Sequence, residues 1–164
     1  MNALWSYFWP ALGEGIIVGI VTGLLAFRRH RKAFLLIGCA ASLILAALWH
    51  GPLGAANRFT AEVEREVRAT LIYYRIPQVS GHLHRKPLTR RIFLSGPADD
   101  FQRSELLGIV AELPGVESVT WSQHGAGVPL IIEGAGAGLL GFLLGLIIAY
   151  VLELRRRYNM QWDW

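Results

Sequence analysis

Charge is scarce in this sequence. Of its 164 residues only 17% are Asp, Glu, Lys or Arg, while 53% are hydrophobic; an average soluble domain carries about 25% charged residues. Cysteine is almost absent. The single Cys39 excludes a disulfide framework and a thiolate metal cluster, and inside an apolar run it reads as a small filler. No Ser–His–Asp order, glycine-rich phosphate loop or thiol pair occurs, so no catalytic residues and no enzymatic activity are expected. No histidine falls inside an apolar run, which argues against a histidine-ligated haem or chlorophyll held by this chain. His82 and His84 alternate in "GHLHRK" without a third ligand nearby, and nothing in the sequence joins His50 to His124, so no metal site is expected.

What the sequence does have is long apolar runs. Ala11–Phe27 is broken only by Glu14, Ala33–Trp49 carries no charge, and Val128–Leu152 carries only Glu133. Each reaches the roughly 17–25 residues that a membrane span needs, and a chain this short cannot bury three such helices in a soluble core. Three transmembrane helices follow. The first ten residues contain no Lys or Arg, so the first run is expected to be a span and not a cleaved leader.

Orientation rests on the basic flanks. "RRHRK" (Arg28–Lys32) follows the first run, and Arg155, Arg156 and Arg157 follow the third. Short basic flanks stay on the cytoplasmic side, and the two clusters agree if there are three spans. The expectation is a multi-pass protein of a bacterial inner membrane, with the N-terminus and central region periplasmic and the C-terminus cytoplasmic. Trp5, Tyr7, Phe8, Trp9 and Trp49 sit where an outer aromatic belt would lie, and Arg155–Arg157 with Trp162 and Trp164 read as a cytoplasmic anchor. From Arg58 to Glu117 there are nine Lys/Arg and eight Asp/Glu. With no basic face, nucleic-acid binding is not expected.

The central region reads as helix, strand, strand, helix, strand. Thr60 is the expected cap of a helix with Val63, Val67 and Leu71 on one stripe and Glu62 near its positive end. A strand is expected from about Gln78 ("QVSGHL") and another in "RRIFLSG", with Ile92 and Leu94 facing one way. Asp99 with Gln102 forms a capping-box pattern; the helix after it buries Leu106, Leu107, Val110 and Leu113 and ends at Pro114–Gly115. The last strand, "VESVTW", places Val119 and Trp121 on one face. The fold expected is an α-helical membrane protein with three transmembrane helices and a small α+β (αββαβ) domain inserted between spans two and three. Its segments are a helical hairpin at 1–50, the α+β domain at 51–127, the third span at 128–154 and a basic, aromatic tail at 155–164.

The run "IFLSGPADDFQRSELLGIVAELPGVESVTW" resembles the second half of a BON domain, a small module of bacterial envelope proteins, with Gly96, Gly115, Val116 and Val119 at the matching places. The likeness covers about Arg58–Trp121. It implies a non-catalytic periplasmic domain that attaches to phospholipid or to other envelope proteins. Arg85, Lys86, Arg90 and Arg91 form the one basic group there, either a solvated hairpin or a contact for lipid phosphate or an acidic partner. Pro87 is expected to hold their loop open.

Glycines mark the spans. Gly134, Gly138, Gly141 and Gly145 share one helical face, and Gly15, Gly19 and Gly23 share another; small residues so spaced let helix backbones approach closely. These faces could meet each other, a second copy, another membrane protein, or a flat quinone or carotenoid. No cofactor is assigned, although bound lipid, quinone or carotenoid would fit such a face. Glu14 and Glu133 each precede a first glycine, and three roles fit them: a shallow position favoured by the helix dipole, a pairing with a basic residue of a partner subunit, or a proton relay, the last poorly served by so few polar groups in the spans. Two functions follow. One is a structural or assembly subunit that docks on other integral membrane subunits through its glycine faces. The other is a free-standing envelope protein that binds phospholipid or wall components through the BON-like domain.

Overall fold

The computed structural model describes residues 2–26, 31–122 and 127–160. In chain order the elements are α1 (Ala3–Ala26), α2 (Arg31–His50), α3 (Ala55–Tyr73), β1 (Ser80–Arg85), β2 (Leu88–Ser95), α4 (Asp100–Ala111), β3 (Ser118–Thr120) and α5 (Leu130–Met160). The first, second and last helices are long and apolar enough to cross a membrane, and an αββαβ domain lies between the second and third of them in sequence. Arg28, Arg29, His30, His124, Trp162 and Trp164 lie outside the described residues.

The chain divides into two compact units. One comprises Phe8–Leu53 and Gly134–Trp164, the other Met1–Tyr7 and Gly54–Glu133. In the first unit the two glycine faces meet each other. A Cβ at Gly15 would fall on the Gly138 carbonyl, at Gly19 on the Phe142 carbonyl, at Gly141 on the Leu12 carbonyl and at Gly145 on the Ile16 carbonyl. Partners rise in number together, so α1 and α5 run parallel, backbone against backbone, as closely spaced small residues permit. The third helix joins at Gly38 of α2, where a Cβ would meet Thr22 and lie 2.9 Å from Phe142 Cε2. Gly134 is buried, whereas Gly13 and Gly136 face open space. The 31 residues of α5 run about 46 Å, beyond the roughly 30 Å of a bilayer core, so Arg155, Arg156 and Arg157 ride on the same helix. There Arg157 Nε lies 3.0 Å and Arg156 Nη1 4.0 Å from Glu153.

In the second unit, helix α3 buries Phe59, Val63, Val67 and Leu71, the stripe that a 3.6-residue period dictates. It begins earlier than Thr60. Gly54 takes the N-cap position with φ 73°, and Thr60 sits inside the helix with its hydroxyl donating to the Ala56 carbonyl. Helix α4 starts as its sequence dictates: Asp99 accepts from Gln102 N at 2.7 Å, and the Gln102 side chain accepts from Asp99 N. The sheet order is β1-β2-β3, antiparallel then parallel. Strand β1 starts at Ser80, two residues later than expected. The loop at Pro87 is tight and not open: Lys86–Pro87 is a cis peptide and Arg85 pairs directly with Leu88.

Tyr7 is not an interfacial belt residue. It is 2% exposed, its ring meets Phe59 edge-on at 5.7 Å, and its hydroxyl donates to the Leu130 carbonyl at 3.4 Å. Ser6 donates to Glu62 at 3.2 Å. The first turn of α1 is thus built into the α+β core, while Trp5 and Trp9 remain half exposed.

Glu66, one turn beyond Glu62 on α3, has a buried carboxylate oxygen with no hydrogen-bond partner. Burial first, and then the Glu62 carboxylate, raise its pKa above the ordinary 4.5. A raised carboxyl pKa means that the folded domain holds this proton more tightly than the unfolded chain. The stability it contributes is complete below 4.5 and is lost as pH rises through the folded value. Glu66→Gln is expected to raise the thermal midpoint of the domain near neutral pH and to leave it unchanged well below 4.5, read by circular dichroism melts of the full chain across that range.

Candidate functional site

The sheet has one covered face. Gly81, Leu83, Ile92 and Leu94 are buried, and a Cβ at Gly81 would lie 2.6 Å from Val67 Cγ1 of α3. Strand alternation then puts His82, Arg91, Phe93 and Thr120 on the other face. Register aligns them in rows. His82 stands opposite Phe93 and Phe93 opposite Thr120; Arg91 stands opposite Ser118. An irregularity between Leu83 and Arg85 takes His84 out of the ladder and re-aims the end of β1.

These side chains line a groove of about 500 Å³, completed by Leu83, His84, Arg85 and Ser122. Among the described residues no carboxylate lines it; Arg85 is already paired with Glu64, so Arg91 is the lining cation that makes the groove suit an anion. Arg91 Nε is buried without a hydrogen-bond partner. His84 Nδ1 lies 3.0 Å from the Pro87 carbonyl, which fixes the ring and leaves Nε2 as its other polar edge. Phe93 supplies a flat apolar floor between the polar rows.

The four basic residues singled out from sequence do not act together. Arg85 is held by Glu64 at 3.1 Å on the β1 edge, where the same carboxylate accepts from Leu83 N at 3.2 Å and lies 3.6 Å from His82 Nδ1. Glu64 thereby occupies an edge-strand N–H that would otherwise be open to another chain. Arg90 points toward the helix-covered side and forms an ion pair with Glu133, Nε to Oε2 2.8 Å, without hydrogen-bond alignment. Lys86 sits exposed in the hairpin turn. Only Arg91 and Arg85 reach the groove.

The two carboxylates expected to be equivalent part company. Glu133 is paired within the chain by Arg90, and the entry to α5 is further held by a bridge between Thr89 and Pro129. Glu14 belongs to the helical unit, with Oε1 buried and lacking a hydrogen-bond partner, as is Ser42 Oγ of α2. Among the described residues no cluster of three His, Cys, Asp or Glu could hold a metal.

Compared with protein-family models, curated proteins and solved structures, the chain matches none.

Phe93, Thr120 and Ser122 were missed as site residues in the sequence. The signal was there for Phe93, because Ile92 and Leu94 facing inward forces Arg91 and Phe93 outward. For Thr120 and Ser122 there was none, since the parallel pairing of β3 with β2 decides their place.

Proposed function

We propose that this protein is a membrane-anchored, non-catalytic binding protein of the bacterial envelope whose αββαβ domain holds an anionic ligand, a phospholipid headgroup or an acidic wall component, on its open sheet face. The observation that carries this reading is the groove lined by Arg91 and Phe93, with no carboxylate among its described lining residues. The BON resemblance supports it. Gly96 and Gly115, the two glycines of that pattern, take φ 132° and 99°, conformations that only glycine adopts readily. The basic flanks favour a periplasmic domain and a cytoplasmic C-terminus. Docking on a larger complex through the glycine faces is the weaker reading, because α1 and α5 use those faces against each other.

The test uses the full chain in nanodiscs of neutral lipid, mixed with vesicles of phosphatidylcholine alone or containing phosphatidylglycerol, and with purified peptidoglycan. Wild type is expected to co-float with the anionic vesicles or to sediment with the wall polymer, and Arg91→Ala to weaken that binding about tenfold, the loss of one charge-assisted hydrogen bond. Binding that is indifferent to Arg91, or a fixed-stoichiometry membrane partner with no such binding, would sink the reading.

A further inference from the structure

A second groove of the α+β domain lies between α3 and the outer edge of β1. Arg68, Leu71 and Ile72 of α3 line it together with Pro77, Val79 and Gly81, around a volume of about 290 Å³. Strand β1 is an edge strand, so alternate backbone groups along it point away from β2. Leu83 N–H is one of these, because it donates to Glu64 Oε1 at 3.2 Å. Alternation makes Gly81 N–H the next. Val79 N–H, just before the strand, donates to the Ile76 carbonyl at 3.2 Å. Gly81 N–H therefore stands between two occupied donors and has no acceptor among the described residues. Arg68 is exposed, lines the same groove and forms no ion pair among the described residues. None of the described lining residues is a carboxylate. Glu64, one turn before Arg68, is held by Arg85 at 3.1 Å.

From this geometry we infer that the groove captures the C-terminal end of a partner protein, its terminal carboxylate shared between Gly81 N–H and Arg68 and its last side chain, an aliphatic one, against Leu71, Ile72 and Val79. A lone backbone donor beside a guanidinium suits a carboxylate, because an ionised acceptor makes the shorter and stronger bonds. A continuous added strand fits less well. It pairs with successive open groups along an edge, and here the donors on both sides are taken by Glu64 and the Ile76 carbonyl. The apolar wall selects an aliphatic last residue over a polar one, since burial there rewards only apolar surface. The inference does not rest on the sheet-face reading. Arg91 and Phe93 line the other groove, although His82 borders both.

The test is fluorescence polarisation of labelled pentapeptides with the full chain in nanodiscs of neutral lipid. One peptide ends in valine with a free carboxylate, a second is the same peptide amidated, and a third is amidated but ends in aspartate. The first is expected to bind, and the other two to bind at least about tenfold more weakly, since each lacks the terminal carboxylate. Arg68→Gln should weaken binding of the first about tenfold, and Arg68→Lys should recover part of that loss. Ile72→Asp, at an exposed groove residue, should abolish binding by setting a like charge beside the carboxylate. Arg91→Ala, which weakens the sheet-face groove, should leave it unchanged. Equal binding of the free and amidated peptides, an aspartate peptide as tight as the first, affinity untouched by Arg68→Gln, or no binding of the first peptide at millimolar concentration would each overturn the inference.

Discussion

Gly141→Leu is expected to leave no correctly assembled helical unit. A Cβ at this position already falls on the Leu12 carbonyl, and the rest of a leucine would need α1 to leave α5 altogether. Overpacking a side chain against movable neighbours costs about 1–3 kcal/mol; here the neighbour is backbone, which cannot rotate away. Gly19→Leu should behave alike, since its Cβ meets the Phe142 carbonyl and lies 2.9 Å from Gly145 Cα. Two other glycines of α5 serve as controls. At Gly138 the nearest atoms to an added Cβ are Ser42 Oγ at 3.4 Å and Ala46 Cβ at 3.5 Å, ordinary contact, so Gly138→Ala should be tolerated. At Gly136 nothing lies within 4 Å, and Gly136→Leu should be silent. Fluorescence-detected size exclusion and thermal midpoints in detergent read the series. If all four variants behaved alike, the close parallel contact of α1 and α5 would be wrong.

The second large effect belongs to the α+β domain. Gly96→Ala and Gly115→Ala each place a Cβ where the backbone has positive φ outside the regions side chains favour, at a cost of about 1–3 kcal/mol. Space is short as well: an added Cβ at Gly96 lies 2.5 Å from the Gln78 carbonyl oxygen, and one at Gly115 lies 2.9 Å from Val63 Cγ2. Domains of this size have little stability to lose, about 0.05–0.15 kcal/mol per residue. Trypsin digestion of the full chain is the readout. Wild type should resist cleavage at Arg65, Arg68 and Arg91 inside the domain, whereas Gly96→Ala should be cut there while α1, α2 and α5 stay helical by circular dichroism. Protection equal to wild type would show that the turn at Gly96 has another conformation open to it.

Those two sets of glycines also mark how far the sequence could be read. Spacings of three and four residues identified the helix faces, and the long apolar runs identified the spans, because both signals are local. The capping box at Asp99–Gln102 was legible for the same reason. Glu133 and Arg90 were each noticed, but their pairing was not, since it joins the start of α5 to a strand 43 positions earlier (133 − 90). The role of Glu64 was invisible too. A carboxylate amid "EVEREV" gives no hint that it closes a strand edge formed only after the chain has turned back. Tyr7 misled for a different reason. An aromatic residue just before a long apolar run has the composition of a membrane belt, and only the arrival of Phe59 and Leu130 places it in a core. The open sheet face needed the register of three strands, and register is a tertiary fact.

The parallel contact of α1 with α5 has a consequence for how the protein is made. Gly15 meets Gly138, 123 residues later in the chain (138 − 15). At a synthesis rate of about 5–20 residues per second, α1 waits roughly 6–25 seconds before its mate leaves the ribosome. During that interval its glycine face has only α2, lipid or the insertion machinery to lie against, and the intervening domain has left the ribosome before α5. Assembly therefore ends with the last helix. A ribosome stalled between the domain and α5 would leave a two-helix intermediate with its tightest binding surface uncovered, a natural substrate for a membrane insertase or a quality-control protease.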